Sequence, residues 1–390
     1  MTRADTLAPA EVAAEGATAD TFELSPLFRA ERRSTDGGCF AVAAGQGATR
    51  QIYDIDGDDS GGILTWLLSV SAAPLDDLER SVAHRLEVEP SRAHELCELL
   101  IAAQILVSGA DAARLREAGR RWEAWGWRDA FDFHASFHGD SFMAYGTEQF
   151  RDLIDELVAD AQNIGPQPSP YKEYEGRETI PLSGLRELSG HGVTLEKALL
   201  DNWPVAYFNH SGVELNDVAQ LLVAAFGVLH EVNDAFLGPH LLKAYPSGGA
   251  RHPIEVYLAA RDVHGLAPGI YHYSPGSHVL VPVNGASALD PMNDACFQKP
   301  GIETASAVLF MTVRWFRHSW KYRYPRSYRM VLIEVGHAIQ TACLAGALTN
   351  AQVYSSYAIN DAAISDMLAL SDDCEELPVM ALALGMGGVV

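Results

Sequence analysis

The stretch Pro246-Ser-Gly-Gly-Ala-Arg-His-Pro253 runs directly into Ile254-Glu-Val-Tyr-Leu-Ala-Ala260. The second part is rich in branched and aromatic residues, which predicts a β-strand. The first part reads as a turn. Adjacent Gly248 and Gly249 let a backbone approach a ligand closely and aim its N–H groups; Ser247 adds a hydroxyl and Arg251 a fixed cation. Such a loop is either a plain turn before a strand or a cradle for an anionic ligand. A phosphate would suit it, as would an isoalloxazine, whose N1–C2=O edge becomes negative on reduction. It is neither a Walker A loop nor a Gly-x-Gly-x-x-Gly fingerprint, which disfavours nucleoside triphosphates and Rossmann-type binding.

Downstream, Arg314 to Arg329 holds six of the chain's 28 Lys and Arg residues within 16 positions, and no acid occurs from Thr304 to Ile333. Trp315, Phe316, Trp320, Tyr322, Tyr324 and Tyr328 are interleaved with the cations. A solvated basic face seldom carries so many aromatics. The composition fits a positive pocket with aromatic walls for a flat anionic cofactor or an acidic peptide. Lys321 is a candidate base, because neighbouring cations and burial both lower a lysine pKa, and Tyr322 is a candidate proton donor or relay.

Around these motifs the chain alternates helices and strands. The spacing predicts a helix over 215–229 and a hairpin from 269–273 to 278–282. It also predicts an apolar strand over 307–313, a long helix over 329–348 and a final strand over 377–385. Hairpins mixed with helices indicate an α+β fold. Small residues (Gly336, Ala338, Ala342, Ala345, Gly346) line the long helix, whose polar members are Glu334, His337 and Gln340.

The N-terminal part reads differently. Residues 1–20 are a tail without periodicity. Residues 21–110 hold three short helices and a strand at 105–107, with Ser91 as a cap for the third helix, an order that suggests a winged helix. From Gln51 to Ala110 there are 11 acids against three arginines, so a phosphate backbone would be repelled. Peptide docking or a structural appendage remain. Residues 111–194 connect the two parts. His134 and His138 stand four apart there, a spacing two metal ligands could use, but no third ligand accompanies them and amphipathic packing is preferred. The Pro- and Gly-rich stretch 163–190 reads as a linker or surface excursion. The second domain is expected over 195–390.

The 51 acids against 28 bases give a net charge of −23, which disfavours nucleic acid and anionic membranes as partners. Five cysteines at long spacings, with no CxxC pair, favour reduced thiols and a cytoplasmic location over a disulfide framework. Neither the first residues nor the short apolar tail reads as a signal peptide or a membrane span.

The two motifs carry a resemblance. Pro-Ser-Gly-Gly-Ala-Arg-x-Pro at 246–253, the following Glu-Val-Tyr, Gly269-Ile-Tyr-His-Tyr273, Trp320-Lys321-Tyr322, Tyr328-Arg329, Gly336-His337 and the Glu376-Leu-Pro-Val end are similar to the SagB-type dehydrogenases of the nitroreductase superfamily. These are the FMN-dependent azoline oxidases of peptide maturation. The resemblance covers roughly residues 195–390. It implies a nitroreductase-like fold, a homodimer with FMN in its interface, a ribosomally made precursor peptide as substrate, and other peptide-modifying enzymes as possible partners. It also implies Lys321 and Tyr322 as catalytic residues. Ser247, Gly248, Gly249, Arg251, Arg326, Arg329, Ser355 and Ser356 are the implied FMN contacts, and no metal is implied.

Three departures from the family pattern stand out. The stretch 201–208 carries no arginine where the family holds the FMN phosphate, which leaves Arg251, Arg326 or Arg329 for that task. The segment from Tyr322 to Arg326 is one residue longer than usual. Ser355-Ser356-Tyr357 replaces a Gly-Gly-Phe. The expectation is an FMN-dependent peptide dehydrogenase. A flavin-free peptide-binding scaffold and a general nitro or flavin reductase are the alternatives.

Overall fold

All seven residues of Ile254–Ala260 are buried, so this strand is covered on both faces. It lies centrally in the main sheet, whose order is Gln352–Ser356, Glu376–Val389, Ala307–Arg314, Ile254–Ala260, Gly269–Ser274, Val279–Gly285 and Ile180–Pro181; Tyr207–Asn209 also pairs with Glu376–Val389. Every pairing in this sheet is antiparallel. The structure is a computed structural model. It describes residues 21–32, 40–44, 51–55, 60–137, 146, 148, 151–152, 155, 159, 165–182, 193–200, 207–234, 238–349, 351–371 and 373–389. The expected tail 1–20, His138, Cys39 and the arginine-free stretch 201–206 lie outside those residues.

Strand periodicity divides the sheet's side chains between two cores. Ile254, Val256, Leu258 and Ala260 join Leu309, Met311 and Val313 against the helices Leu215–Phe226 and Ser327–Gly346. Tyr257 and Ala259 join Val308, Phe310 and Ile270 against Ile302, Ile364 and Met367 on the other face. Each large apolar side chain so buried contributes about 1.5–3 kcal/mol of transfer free energy.

The helix Ser327–Gly346 buries Val331, Val335, Ala338, Ile339, Ala342 and Ala345 along one stripe. A Cβ on Gly346 would lie 3.1 Å from Val353, so the small residue at its end permits close approach to the Gln352–Ser356 strand. The helix expected over 215–229 stops at Phe226. Gly227 leaves helical geometry at ψ 153°, and the chain turns toward a hairpin of His230–Asp234 and Gly238–Leu242.

The chain divides into two compact units, Met1–Phe150 and Arg151–Val390. The first contains the helices Ser60–Ser69, Leu75–Leu86, Pro90–Ala102, Gly109–Glu123 and Arg128–Ala135. It also has a three-stranded antiparallel sheet of Ala73–Pro74, Thr21–Leu24 and Leu106–Ser108, and a second one of Arg29–Arg32, Phe40–Ala44 and Gln51–Ile55. Ser91, expected as a cap, lies inside its helix, because Pro90 occupies the first turn, where a missing N–H is harmless. Arg116 donates through both terminal nitrogens to the buried Glu23 carboxylate and ties Thr21–Leu24 to the Gly109–Glu123 helix. His134 stacks on Trp122 with centroids 5.3 Å apart, which is ordinary packing. Among the described residues no group of three His, Cys, Asp or Glu could hold a metal ion. Among them, too, no helix is long and apolar enough to cross a membrane.

The Pro- and Gly-rich stretch, expected to be a linker or a surface excursion, packs within the second unit where it is described. Ile180–Pro181 pairs with Val279–Gly285, and Arg177 donates to the Pro282 and Val283 carbonyls at 2.6 and 3.1 Å. Lys172 donates to Glu376 at 2.7 Å and to the Tyr257 hydroxyl at 2.6 Å. Proline removes backbone donors but leaves carbonyls and side chains to dock, so composition alone did not exclude this placement.

Candidate functional site

Ile254 begins one central strand opposite Val313, near the end of its neighbour. The loop before Ile254 and the chain leaving Arg314 therefore flank the same end of the sheet. Antiparallel pairing also brings Ser356, at the end of its strand, opposite Ala381 and toward that end. The sheet thus gathers the two motifs and leaves Ser355 and Ser356 three strands away from Ile254–Ala260, with Glu376–Val389 and Ala307–Arg314 between.

The loop has a specific backbone. Gly248–Ala250 forms a single 3₁₀ turn in which Gly249 has φ 59° and ψ 25°, and Ala250 and His252 also have positive φ, at 54° and 44°. Such conformations are uncommon for residues with a Cβ and mark a loop held by its surroundings. Ser247 is central to that hold: its hydroxyl donates to Glu334 at 2.7 Å and accepts the His252 N–H at 2.9 Å. The N–H groups of Ala250 and Arg251 bond to the carbonyls of Ser247 and Gly248. Ser247 and these amides therefore shape the loop from within.

Glu334 and His252 sit beneath the loop, both about fully buried. Burial pushes the Glu334 carboxyl up to about 7, against the opposing effects of the Ser247 hydroxyl, Lys243 and the Gly248 N–H. His252 Nε2 donates to the Leu241 carbonyl at 2.8 Å. Burial, then Lys243, pushes its pKa down to about 3, so the ring is neutral with its lone pair at Nδ1. In the sequence Glu334 is only a polar member of the long helix, and His252 has no role assigned to it. The adjoining His252-Pro253 was the available signal.

Lys321 and Tyr322 reach this loop. A Cβ on Gly249 would collide with the Tyr322 hydroxyl and lie 3.0 Å from Lys321 Nζ. The two residues follow the short helix Trp315–Ser319, and the N–H groups of both bond to the His318 carbonyl, at 3.2 and 3.1 Å. Burial, then Tyr324, raises the Tyr322 pKa, so its phenol stays protonated and acts as a donor. Arg251 is buried, with Nε donating to the Gly249 carbonyl at 3.0 Å, and it acts electrostatically on both Tyr322 and His318. The structure thus brings together Ser247, Gly248, Gly249, Arg251, Lys321 and Tyr322.

The six cations of 314–329 do not share one task. Arg317 is buried and bonds through Nη2 to Glu255 at 2.5 Å and through Nη1 to the His252 carbonyl at 2.9 Å. Glu255 also holds His272 at 2.9 Å. Burial opposes ionisation of Glu255, but Arg317 and His272 together hold its carboxyl well below the usual range. Arg314 pairs with Glu375 at 3.0 Å. Arg326 and Arg329 stand at the start of the Ser327–Gly346 helix, half-buried and exposed. Ser355 is half-buried, and the Ser356 hydroxyl donates to the Ala358 carbonyl at 3.4 Å.

Residues 206–386 match the Nitroreductase family. This part of the chain is a nitroreductase-family domain. Members of that family commonly bind FMN. The trifolitoxin-processing protein TfxB of Rhizobium leguminosarum bv. trifolii is 32% identical over 204 residues, 51% of this chain and 52% of TfxB. The microcin B17-processing protein McbC of Escherichia coli is 31% identical over 147 residues, 34% of this chain and 51% of McbC. The chain thus spans about half the length of each of these two relatives. A solved structure of the E. coli microcin synthetase McbBCD complex with truncated pro-MccB17 bound has a TM-score of 0.40 at 20% identity, covering 64% of this chain and 85% of that one. The nitroreductase domain thus contains the whole Ser247–Tyr322 site.

Proposed function

We propose that the chain is an FMN-dependent dehydrogenase that oxidises a ribosomally made peptide during its maturation, by conversion of an azoline to an azole or a related two-electron desaturation. The observation that carries this reading is the convergence of Lys321 and Tyr322 on Gly249. Relatives named for trifolitoxin and microcin B17 processing support the peptide as substrate class. A complex with other peptide-modifying enzymes belongs to the same proposal.

The residues fit a flavin. Arg251, Lys321 and the Tyr322 phenol are donors gathered at one loop, and Tyr322 and His318 add flat aromatic surface, their rings stacked 4.9 Å apart. Such a set suits a flat heteroaromatic ring with an electron-rich edge. When bound, FMN supplies a two-electron acceptor. Lys321, as a neutral amine, would take the Cα proton of the substrate, and Tyr322, held protonated by burial, would donate a hydrogen bond beside it. Arg251 would offset negative charge in the loop, and Arg326 and Arg329 would bind the phosphate. The winged-helix-like N-terminal unit would dock the peptide. A homodimer in the cytoplasm, with Ser355 and Ser356 near the flavin, completes the reading.

The test is the visible spectrum of the purified protein with the released cofactor identified, followed by Lys321→Ala. Bound FMN, with peptide oxidation abolished in the variant and flavin retained, is the expected result. A colourless protein that takes up no added FMN would leave the flavin-free scaffold as the reading.

A further inference from the structure

We propose that His318 is a flavin-contacting residue, its imidazole hydrogen-bonding the polar pyrimidine edge of the cofactor. The inference rests on the flavin reading above and adds a residue that the two motifs alone did not single out.

His318 is 2% exposed and lies in the Trp315–Ser319 helix that leaves the central sheet. Its ring stacks on Tyr322 with centroids 4.9 Å apart and planes 30° apart. A Cβ on Gly248 would come within 3.1 Å of its Cε1. It therefore stands among Gly248, Tyr322, Arg251 and Lys321, inside the site. Among the described residues neither of its ring nitrogens has a hydrogen-bond partner. The other buried histidines each hold one: His252 bonds Leu241, His272 bonds Glu255, and His278 bonds Tyr273. A buried polar ring left unsatisfied on both sides is unfavourable, and such groups mark places where function overrides stability.

The chemistry of the ring selects the ligand. Burial, then Arg251 and Lys321, pushes the His318 pKa down to about 4, so near neutral pH it offers one N–H donor and one lone pair. Arg251 offers donors only. A phosphate, all acceptor, could meet the imidazole only through its N–H. The isoalloxazine edge alternates C4=O, N3–H and C2=O, and so offers a complement to whichever ring nitrogen faces it, the N–H or the lone pair. This assigns His318 to the ring rather than to the phosphate.

His318→Phe keeps a flat ring against Tyr322 and removes both nitrogens. FMN is titrated into flavin-free wild-type and variant protein, followed by flavin fluorescence, and thermal unfolding of the flavin-free forms is measured beside it. The expected result is FMN affinity weakened at least about tenfold, consistent with loss of one hydrogen bond. The flavin-free variant should melt no lower than wild type. His318→Gln, which keeps a donor and an acceptor, should recover part of the affinity. Wild-type FMN affinity in the Phe variant overturns the proposal and leaves the flavin reading standing, even if peptide affinity falls. Failure of the wild-type protein to bind FMN overturns both. Should the Phe variant not fold, His318→Met is read in the same way.

Discussion

His252 Nδ1 lies 3.7 Å from Glu334 Oε1, and neither atom has a hydrogen-bond partner among the described residues. On their far sides both residues hold the site: His252 Nε2 bonds Leu241, and Glu334 Oε2 accepts from Ser247. With the imidazole pushed down to about 3 and the carboxyl up to about 7, the proton between them belongs to Glu334 at mildly acid pH. The loop is thereby anchored by two neutral groups.

A pH dependence follows. The unfolded chain ionises Glu334 in the ordinary carboxylate range, while the folded chain keeps it protonated to about pH 7. A raised carboxyl pKa means that stability falls as pH rises from the unfolded value to the folded one, here by about 3 kcal/mol in all. Glu334→Gln removes that fall, so the stability of the variant relative to wild type should rise between pH 4.5 and 7. Urea unfolding at several pH values checks it. A constant difference across the range would mean that Glu334 ionises normally.

Gly249→Ala should damage the site more than the fold. The position has φ 59°, and the added methyl would meet the Tyr322 hydroxyl and Lys321 Nζ. The backbone strain costs about 1–2 kcal/mol, as Ala250 already adopts φ 54° next door. Flavin uptake and peptide oxidation are expected to drop at least tenfold. Equal activity in a folded variant would show that Lys321 and Tyr322 need not lie against this loop.

Removing Arg317 should be costly in a way that its partner can relieve. Arg317→Leu leaves Glu255 buried beside His272 without its guanidinium, a loss of about 3–5 kcal/mol for breaking a buried pair. Glu255→Gln in the same chain should restore part of the loss, because no ionised carboxylate then remains. The double-mutant cycle, measured by urea unfolding, is expected to show strong coupling; additive effects would contradict the pairing.

Lys172→Met should loosen the 165–182 segment. Lys172 bridges Glu376 and the Tyr257 hydroxyl, and Thr312 also donates to Glu376 at 2.7 Å. Without the ammonium, the segment's docking weakens and its backbone opens more often. Limited proteolysis should cut within 165–182 several-fold faster than in wild type, and an unchanged rate would show that other contacts hold it.

Much of the C-terminal unit was readable in the chain. The strand at 254–260 has the bounds that its branched residues predict, and the hairpin partners at 269–274 and 279–285 flank a Ser274-Pro-Gly-Ser277 turn. These elements are set by local pattern: a period of two, turn residues, and apolar runs too short for a helix. The loop and the Lys321-Tyr322 pair were also visible, because glycines and a cluster of cations in an acidic chain stand out as composition.

Tertiary structure alone decided which residues of those motifs meet. No spacing rule says that Ser247 turns inward to Glu334, 87 positions away, or that Arg317 leaves its basic neighbours to pair with Glu255. Nor does composition show that a Pro-rich stretch carries Lys172 to a carboxylate 204 positions on. Those partners are chosen by burial, since a charge or hydroxyl taken out of water must find its complement wherever the packed sheet places one. The sequence by itself determined the central strands, the turn and the inventory of donors. The folded sheet, by closing its end around them, determined which donors were spent on structure and which, His318 among them, face the site.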